Sequence, residues 1–150
     1  ECVKFVSACR YAPRGNRSFG PVRARIYAGD DYFQHANDTL LNFAMIETSE
    51  AVDNLDKILS VEELDAVYVG PSDLAVTMGY VPFTYEKEVE DCIKYIADTC
   101  KKYNIRTGIH CPDGKTVKER FNIGYDLGTI SADAALLTQA SKREIADAKK

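Results

Sequence analysis

The segment 41–78 constrains the fold of this chain more than any other part of the sequence. Two short apolar runs, 41–46 and 66–69, have the length and composition of buried strands. Between them, apolar residues recur at helical spacing, namely Ala51, Val52, Leu55, Ile58 and Leu59. The two strands are expected to be parallel, because a crossover helix joins them and a parallel pair needs such a connection. The segment therefore predicts a βαβ unit.

Each of these two strands leads into a carboxylate. Glu47 follows the first strand directly, and Asp73 follows the second through the turn Gly70-Pro71-Ser72. Neighbouring strands lie about 4.8 Å apart, so both side chains can reach a common point at the carboxyl end of the sheet. Two acidic groups at one point repel each other unless a cation holds them. Helix N-capping at the two strand–helix junctions is an alternative explanation of both residues.

The rest of the chain predicts two further βα units and a helical opening segment. A serine or threonine followed three residues later by glutamate predicts that Ser60 starts a single turn before the second strand and that Thr116 starts a helix. The predicted strands are 41–46, 66–69, 105–110 and 124–131, and the predicted helices are the segment up to Cys9, 51–59, 74–78, 84–103, 116–121 and the chain from about Ala132.

The N-terminal part is less regular. Residues 10–21 form a predicted loop that carries Arg10, Arg14 and Arg17, and it either clamps an anionic group or lies at the surface or against another subunit. Residues 22–37 have no clear period apart from a short helix near Tyr32, and His35 there is interpreted as a surface histidine. Because the first residues already follow a helical pattern without a methionine, we expect the chain to begin inside a larger domain.

Composition limits the classes of function. A net charge of −4 with mixed signs gives no reason to expect nucleic acid or an anionic membrane as a partner, and no apolar run approaches the roughly 20 residues of a membrane span. The five cysteines include no C-x-x-C pair, which favours reduced thiols and a cytoplasmic location. Cys92 and Cys100 are predicted to fill the core from the long helix.

Four βα units can form either an open doubly wound sheet or half of an eight-stranded barrel. The glycine-rich phosphate-binding motifs of nucleotide-binding sheets are absent from the sequence. Carboxylates at the ends of two consecutive strands suit a barrel, whose functional groups lie at that rim. A half barrel would expose strand edges and its inner face, so we expect the other half to exist elsewhere.

Several motifs in order resemble the HpcH/HpaI aldolase family, and the resemblance extends over nearly the whole chain. They are Arg10-Tyr11 with Pro13, Gly15 and Arg17, then Ile46-Glu47-Thr48, then Gly70-Pro71-Ser72-Asp73-Leu74, and finally Met78-Gly79. The family contains class II, metal-dependent pyruvate aldolases of the hydroxyketo-acid and dehydro-deoxy-glucarate types. The resemblance implies a (β/α)8 TIM barrel of the phosphoenolpyruvate/pyruvate type. Residues 1–150 would then be the C-terminal portion of one barrel domain, with its N-terminal half absent from this chain.

The resemblance also implies a site and a reaction. Glu47 and Asp73 would bind a divalent cation (Mg²⁺, Mn²⁺ or Co²⁺), and the backbone N–H groups of Ser72 and Asp73 would bind the pyruvate carboxylate. The reaction would be cleavage or formation of 4-hydroxy-2-oxo acids from pyruvate and an aldehyde through a metal-stabilised enolate. The catalytic histidine and arginine of the family lie outside this chain, so the fragment alone is expected to be inactive.

Two residues depart from the family pattern. Met45 stands where many members have glutamine, and His110 stands near an apolar position that contacts the aldehyde. His110 is therefore either a polar wall of the substrate site or a simple loop histidine. The family also implies a homo-oligomer, either a trimer or a hexamer. A citryl- or malyl-coenzyme A lyase of the same fold, and a catalytically inactive metal- or pyruvate-binding module, remain alternative functions.

Overall fold

The structure is a computed structural model that describes residues 1–84 and 86–149. Tyr85, which belongs to the predicted helix 84–103, and Lys150, in the predicted C-terminal helix, lie outside the described residues. The elements in chain order are α1 Cys2–Cys9, α2 Val22–Ala28, α3 Tyr32–Thr39, β1 Phe43–Ile46, α4 Ser49–Asp53, α5 Leu55–Leu59, β2 Ala66–Val69, α6 Pro71–Thr77, α7 Lys87–Tyr103, β3 Arg106–Cys111, α8 Gly114–Asn122, β4 Leu127–Ile130 and α9 Asp133–Ala148.

The four strands form one parallel sheet in the order β1-β2-β3-β4. Each strand pairs with the strand that follows it in the chain, and a helical connection joins every consecutive pair. This arrangement confirms the four predicted βα units, and each strand lies within a few residues of its predicted range. All four carboxyl ends consequently lie at the same edge of the sheet.

The two faces of the sheet differ in their surroundings. One face carries fully buried apolar side chains that belong to the main core, together with α5, α7 and α8; the strand residues among them are Ile46, Val67, Val69, Ile109 and Cys111. The register places Met45 and Tyr68 on the opposite face, and His110 with Thr129 as well. Met45 is 52% exposed there. In a closed barrel this second face points towards the barrel axis.

The long helix α7 supplies much of the core, as predicted. Cys100 is completely buried and burial raises the pKa of its thiol to about 12, so this thiol stays protonated at neutral pH. Cys92 is half-buried and packs against the same core. Both cysteines therefore act as small apolar side chains, which confirms the prediction.

Three local expectations were wrong. The predicted helix 51–59 is divided at Asn54 into α4 and α5. The predicted single turn before β2 is present, with the Leu64 N–H donating to the Val61 carbonyl at 3.3 Å, but Ser60 is the C-cap of α5 and does not cap that turn. Helix α8 begins with Asp113 as its N-cap rather than Thr116, since the Asp113 carboxylate accepts a hydrogen bond from the Thr116 N–H at 2.8 Å.

The cap of α8 can be tested by mutation. Replacing Asp113 with alanine in the full-length protein should lower the thermal midpoint by about 2–4 °C, because the first N–H groups of the helix lose their acceptor. The Thr116 N–H holds the pKa of Asp113 below its usual range, so this contribution is present at neutral pH and lost as the pH falls through the folded-state pKa. Glu119→Ala serves as the control. An equal fall of the thermal midpoint in this variant would indicate that the predicted capping box of Thr116 and Glu119 starts the helix instead.

Candidate functional site

The Glu47 side chain packs against the first residue after the neighbouring strand. Ile46 pairs with Val69, and the Gly70 N–H donates to the Ile46 carbonyl at 3.2 Å, so Glu47 and Gly70 are neighbours at the carboxyl edge. A Cβ atom at Gly70 would lie 2.9 Å from Glu47 Oε2 and 3.1 Å from Glu47 Cβ. The absence of a side chain at Gly70 therefore provides the space that the Glu47 carboxylate occupies.

Asp73 lies in the first turn of α6, the helix that begins directly after this glycine. Gly70 is the N-cap, Pro71 is the first helical residue, and the first hydrogen bond of the helix joins the Leu74 N–H to the Gly70 carbonyl at 3.0 Å. The N–H groups of Ser72 and Asp73 precede that bond, so they lie at the positive end of a short helix. The Thr77 hydroxyl accepts a hydrogen bond from the Ser49 N–H at 3.1 Å, which links α6 to the segment that follows Glu47.

Residues other than Glu47 and Asp73 cap the helices at the junctions between β1 and α4 and between β2 and α6. The Thr48 hydroxyl caps α4 by accepting a hydrogen bond from the Ala51 N–H at 3.0 Å, and Gly70 caps α6 without a side chain. Within the ranges 1–84 and 86–149, neither the Glu47 nor the Asp73 carboxylate forms a hydrogen bond or an ion pair. Helix capping therefore does not explain why acidic residues occupy both positions.

Two carboxylates offer only oxygen donors, and hard divalent cations such as Mg²⁺ prefer oxygen. No group of three or more histidine, cysteine or acidic residues within the described part of the chain could hold a metal ion. A metal at this edge would therefore take two protein ligands, with its remaining positions filled by water or substrate. The donor set fits a Mg²⁺-type ion that binds together with an oxygen-rich substrate.

His110 lies on strand β3 rather than in a loop, and its side chain is hydrogen-bonded on the uncovered face of the sheet. Its Nδ1 atom lies 3.1 Å from the Thr129 hydroxyl oxygen, and the same hydroxyl bonds to the Tyr68 hydroxyl. Tyr68 is on β2 and Thr129 is on β4, so the tyrosine ring crosses β3. It can do so because Gly108 has no side chain, and a Cβ atom there would lie 2.8 Å from Tyr68 Cδ2.

A cavity of about 50 Å³ opens at the same edge of the sheet and is lined by residues of α6, α7, β3 and α8. Its lining includes Ser72 of α6, His110 of β3 and Arg120 of α8. Arg120 is only 6% exposed and forms a two-pronged ion pair with Glu90 of α7, in which the Nη2–Oε1 distance is 2.6 Å. The two terminal nitrogens of Arg120 thus pair with the two Glu90 carboxylate oxygens, while its buried Nε atom has no hydrogen-bond partner among the described residues.

Two arginines of the loop 10–21, Arg10 and Arg14, bind acidic groups of this chain. Arg10 is 2% exposed and donates to the carbonyls of Leu40 and Asn37 at 2.6 and 2.9 Å and to the Asp65 carboxylate at 2.8 Å. Its Nε atom lies 3.1 Å from Glu63 Oε2. Arg10 therefore fastens the start of the loop to the segment before β2, whereas residues 12–14 and 18–20 lie exposed at the surface.

The other two loop arginines also have partners within the chain. Arg14 forms ion pairs with Glu63 and Asp38. The hydrogen bonds from Arg14 to Glu63 keep the pKa of the Glu63 carboxyl below its usual range. Arg17 lies over the ring of Tyr11, with 4.6 Å between its Cζ and the ring centroid. All three arginines thus stabilise the structure. His35, on α3, is a surface residue, as predicted from the sequence. Its Nε2 atom lies 3.6 Å from Asp31 Oδ2.

Tyr68, Gly108 and Thr129 were not singled out from the sequence. The alternation of strand side chains places Tyr68 on the same face as Met45, and this signal was available. The partnership of Tyr68 with Thr129 depends on the register of β2, β3 and β4, which the sequence does not contain.

Four parallel βα units with polar groups at their carboxyl ends define the class of (β/α)8 barrels, of which this chain supplies about half. The chain belongs to the HpcH/HpaI aldolase/citrate lyase family, whose sequence model matches residues 1–139. This match confirms the resemblance deduced from the motifs.

Relatives and solved structures agree with the family assignment. The chain is 40% identical to a hydroxypyruvate/pyruvate aldolase from Rhizorhabdus wittichii over 151 residues, covering 99% of the chain and 60% of the relative. It is 34% identical to a 4-hydroxy-2-oxo-heptane-1,7-dioate aldolase from Shigella flexneri, covering 95% of the chain and 54% of the relative. A crystal structure of an HpcH/HpaI aldolase/citrate lyase family protein from Burkholderia cenocepacia J2315 superposes with a TM-score of 0.89 at 26% identity, over 99% of this chain and 60% of that one.

The chain thus spans 54–60% of the length of these three proteins. The remainder of a family barrel is not represented in residues 1–150. Of the helices in the described ranges, none is both long enough and apolar enough to cross a membrane.

Proposed function

We propose that the protein carrying this chain is a divalent-metal-dependent pyruvate aldolase. It is a carbon–carbon lyase that cleaves 4-hydroxy-2-oxo acids to pyruvate and an aldehyde and catalyses the reverse condensation. The observation that carries the proposal is the placement of Glu47 against Gly70, at the start of the helix that bears Asp73, with neither carboxylate engaged within the described residues. Membership of the aldolase family and the similarity to two aldolases support it.

Glu47 and Asp73 would hold the ion, which is Mg²⁺, Mn²⁺ or Co²⁺. When bound, such an ion supplies a Lewis acid that lowers the energy of the enolate formed when pyruvate loses a methyl proton. The N–H groups of Ser72 and Asp73, at the positive end of α6, would bind the carboxylate of pyruvate. Together, these N–H groups and the two metal-binding carboxylates would fix the orientation of pyruvate at the carboxyl edge of the sheet.

The groups that move protons and stabilise the alkoxide lie outside this chain in the proposal. Arg10, Arg14 and Arg17 cannot supply them, because each is engaged with acidic or aromatic partners. Residues 1–150 are accordingly the C-terminal portion of one barrel domain, and this portion alone is inactive. We further propose a cytoplasmic enzyme that assembles as a trimer or hexamer of identical subunits.

Exchange of the methyl protons of pyruvate with D₂O tests the proposal without requiring the aldehyde to be known. Proton NMR should show exchange by the full-length protein with Mg²⁺ or Mn²⁺, none after chelation of the metal, and none with residues 1–150 alone. Absence of metal-dependent exchange by the full-length protein would favour a binding module without catalytic activity.

Gly70→Ala should weaken metal binding without unfolding the protein. The φ angle of Gly70 is −100°, which alanine adopts without strain, and all the atoms within 4 Å of the new Cβ atom belong to the Glu47 side chain, with Oε2 at 2.9 Å and Cβ at 3.1 Å. We expect the affinity for Mn²⁺, measured by titration calorimetry on the full-length protein, to fall at least about tenfold. Gly20→Ala is the matched control, because a Cβ atom at Gly20 has no neighbour within 4 Å. Unchanged Mn²⁺ affinity in Gly70→Ala would argue against Glu47 as a ligand.

A further inference from the structure

We infer that the Thr77 hydroxyl fixes the separation of the two proposed metal-binding carboxylates and thereby raises the affinity of the site for its metal ion. This inference rests on the proposed function, because it assigns a positioning residue to the same site. Thr77 is the last residue of α6, the helix whose first turn carries Asp73. Its hydroxyl binds the N–H of Ser49, two residues after Glu47, and therefore joins the two segments that bear the carboxylates.

The end of β1 and the start of α4 hold α6 at both of its ends. At the start of α6, the Gly70 N–H donates to the Ile46 carbonyl at 3.2 Å. At its end, Thr77 Oγ1 accepts from the Ser49 N–H at 3.1 Å. The seven residues of the helix span about 10 Å, so two attachments at this distance fix the direction of the helix axis. Without the second attachment the helix can turn about its start, and this changes the separation of the carboxylates.

The hydrogen bonds of Thr77 fix its hydroxyl group in one orientation. The hydroxyl proton goes to the Leu74 carbonyl at 2.9 Å, because a carbonyl can only accept. The Ser49 N–H can only donate, so it binds a lone pair of the same oxygen. Ser49 is the first residue of α4, and the leading N–H groups of a helix have no acceptor within that helix. Thr77 therefore supplies an acceptor that α4 itself lacks.

The first test is the affinity of Thr77→Val for Mn²⁺, measured by titration calorimetry on the full-length protein. Thr77 is exposed, so water competes for its bonds, and the buried side chains of Leu74 and Ala75 still hold α6 on the core. The affinity should therefore fall by about threefold to tenfold, the factor that one neutral hydrogen bond contributes. At saturating Mn²⁺, coordination itself keeps the two carboxylates together, so the rate of methyl exchange in pyruvate should return close to the native value.

Variants on both sides of the bond make this test specific. Thr77→Ser keeps the hydroxyl and should have the native affinity for Mn²⁺. Ser49→Pro removes the N–H from the first position of α4, where proline fits because Thr48 before it is already extended. This variant should weaken Mn²⁺ binding as much as Thr77→Val, whereas Ser49→Ala, which keeps the N–H, should not. The double variant Thr77→Val with Ser49→Pro should bind Mn²⁺ no more weakly than either single variant, because both changes remove the same bond.

Thr39→Val is the matched control for the loss of a hydroxyl. Thr39 is exposed, is the last residue of α3, and donates to the His35 carbonyl of its own helix at 3.0 Å. It therefore resembles Thr77 in place and in its bond within the helix, but it lies on a different helix from both carboxylates. The Mn²⁺ affinity of Thr39→Val should equal the native affinity.

Hydrogen exchange gives a readout that does not depend on activity. Metal binding and the bond between Thr77 and Ser49 favour the same position of α6, so each should strengthen the other. Mass spectrometry of the full-length protein should show slower deuterium uptake at the start of α4 when Mn²⁺ is bound. This protection should be lost in Thr77→Val, because its Ser49 N–H has lost the hydroxyl acceptor.

Two results separate this inference from the proposed function. If the native protein binds Mn²⁺ and exchanges the methyl protons of pyruvate, but Thr77→Val and Ser49→Pro have the native Mn²⁺ affinity, the inference is wrong and the proposed function stands. If the native protein shows neither Mn²⁺ binding nor exchange, both are wrong. Equal losses of affinity in Thr77→Ser and Thr77→Val would also overturn the inference, since the side chain would then act through its packing instead of its hydroxyl.

Discussion

Glu47→Gln and Asp73→Asn, made separately in the full-length protein, are each expected to slow metal-dependent exchange of the pyruvate methyl protons by about 10³-fold. Each variant removes one of the two negative oxygen donors while keeping the size of the side chain. Lewis-acid stabilisation of a developing oxyanion amounts to several kcal/mol, and a loss of roughly 4 kcal/mol corresponds to this factor. Exchange is followed by proton NMR at saturating pyruvate and fixed Mn²⁺, and Mn²⁺ affinity is measured in parallel.

Two comparisons make this result specific. Glu50→Gln removes an equal charge from an exposed residue in the first turn of α4, three positions after Glu47, and should leave the rate unchanged. The double variant should be little worse than either single variant, because two ligands of one ion act as a unit. Full exchange activity in Glu47→Gln or Asp73→Asn would eliminate the proposed metal pair.

The largest effect on stability is expected for Arg10→Met, which should lower the free energy of unfolding by about 3–5 kcal/mol. Arg10 is 2% exposed, and its loss removes one cationic partner from the Asp65 and Glu63 carboxylates and a donor from the partly buried carbonyls of Asn37 and Leu40. Methionine fills similar volume, so the loss reflects uncompensated polar groups rather than a cavity. Urea unfolding of the full-length protein, monitored by circular dichroism, measures the change.

Arg14→Met is the matched control for this prediction. Arg14 belongs to the same loop and also contacts Glu63, but its side chain is 37% exposed and its ion pairs with Glu63 and Asp38 are accessible to water. Such pairs contribute little, so the shift of the urea midpoint should be much smaller than for Arg10→Met. Equal shifts in the two variants would mean that Arg10 is not a buried anchor.

The parts of the fold that local patterns predicted are those in which one face is buried. Helix α7 has a continuous apolar stripe and was predicted over most of its length. Helix α2 was not assigned, because none of its residues is buried among the described residues, and Val22, Ile26 and Tyr27 are exposed, so no helical period is visible. The break at Asn54 and the cap at Asp113 were missed because each depends on a few local hydrogen bonds rather than on a period.

In the candidate site, too, some features follow from local sequence patterns and others only from tertiary packing. The positions of Glu47 and Asp73 after two successive strands, and of His110 within a third, follow from the order of apolar runs, because parallel strands place their carboxyl ends together. The space above Gly70 for the Glu47 carboxylate, and the crossing of Gly108 by Tyr68, follow from the packing of two strands against each other.

The sequence by itself determined the alternation of strands and helices, the family, and the residues that meet at the carboxyl edge of the sheet. Only the tertiary structure decided that Arg10 binds Asp65, 55 residues away, and that Tyr68 bonds to Thr129, 61 residues away. The physical reason is that hydrophobic period and turn chemistry act over a few neighbouring residues. The choice of a distant partner depends instead on strand register and on the space that neighbouring side chains leave.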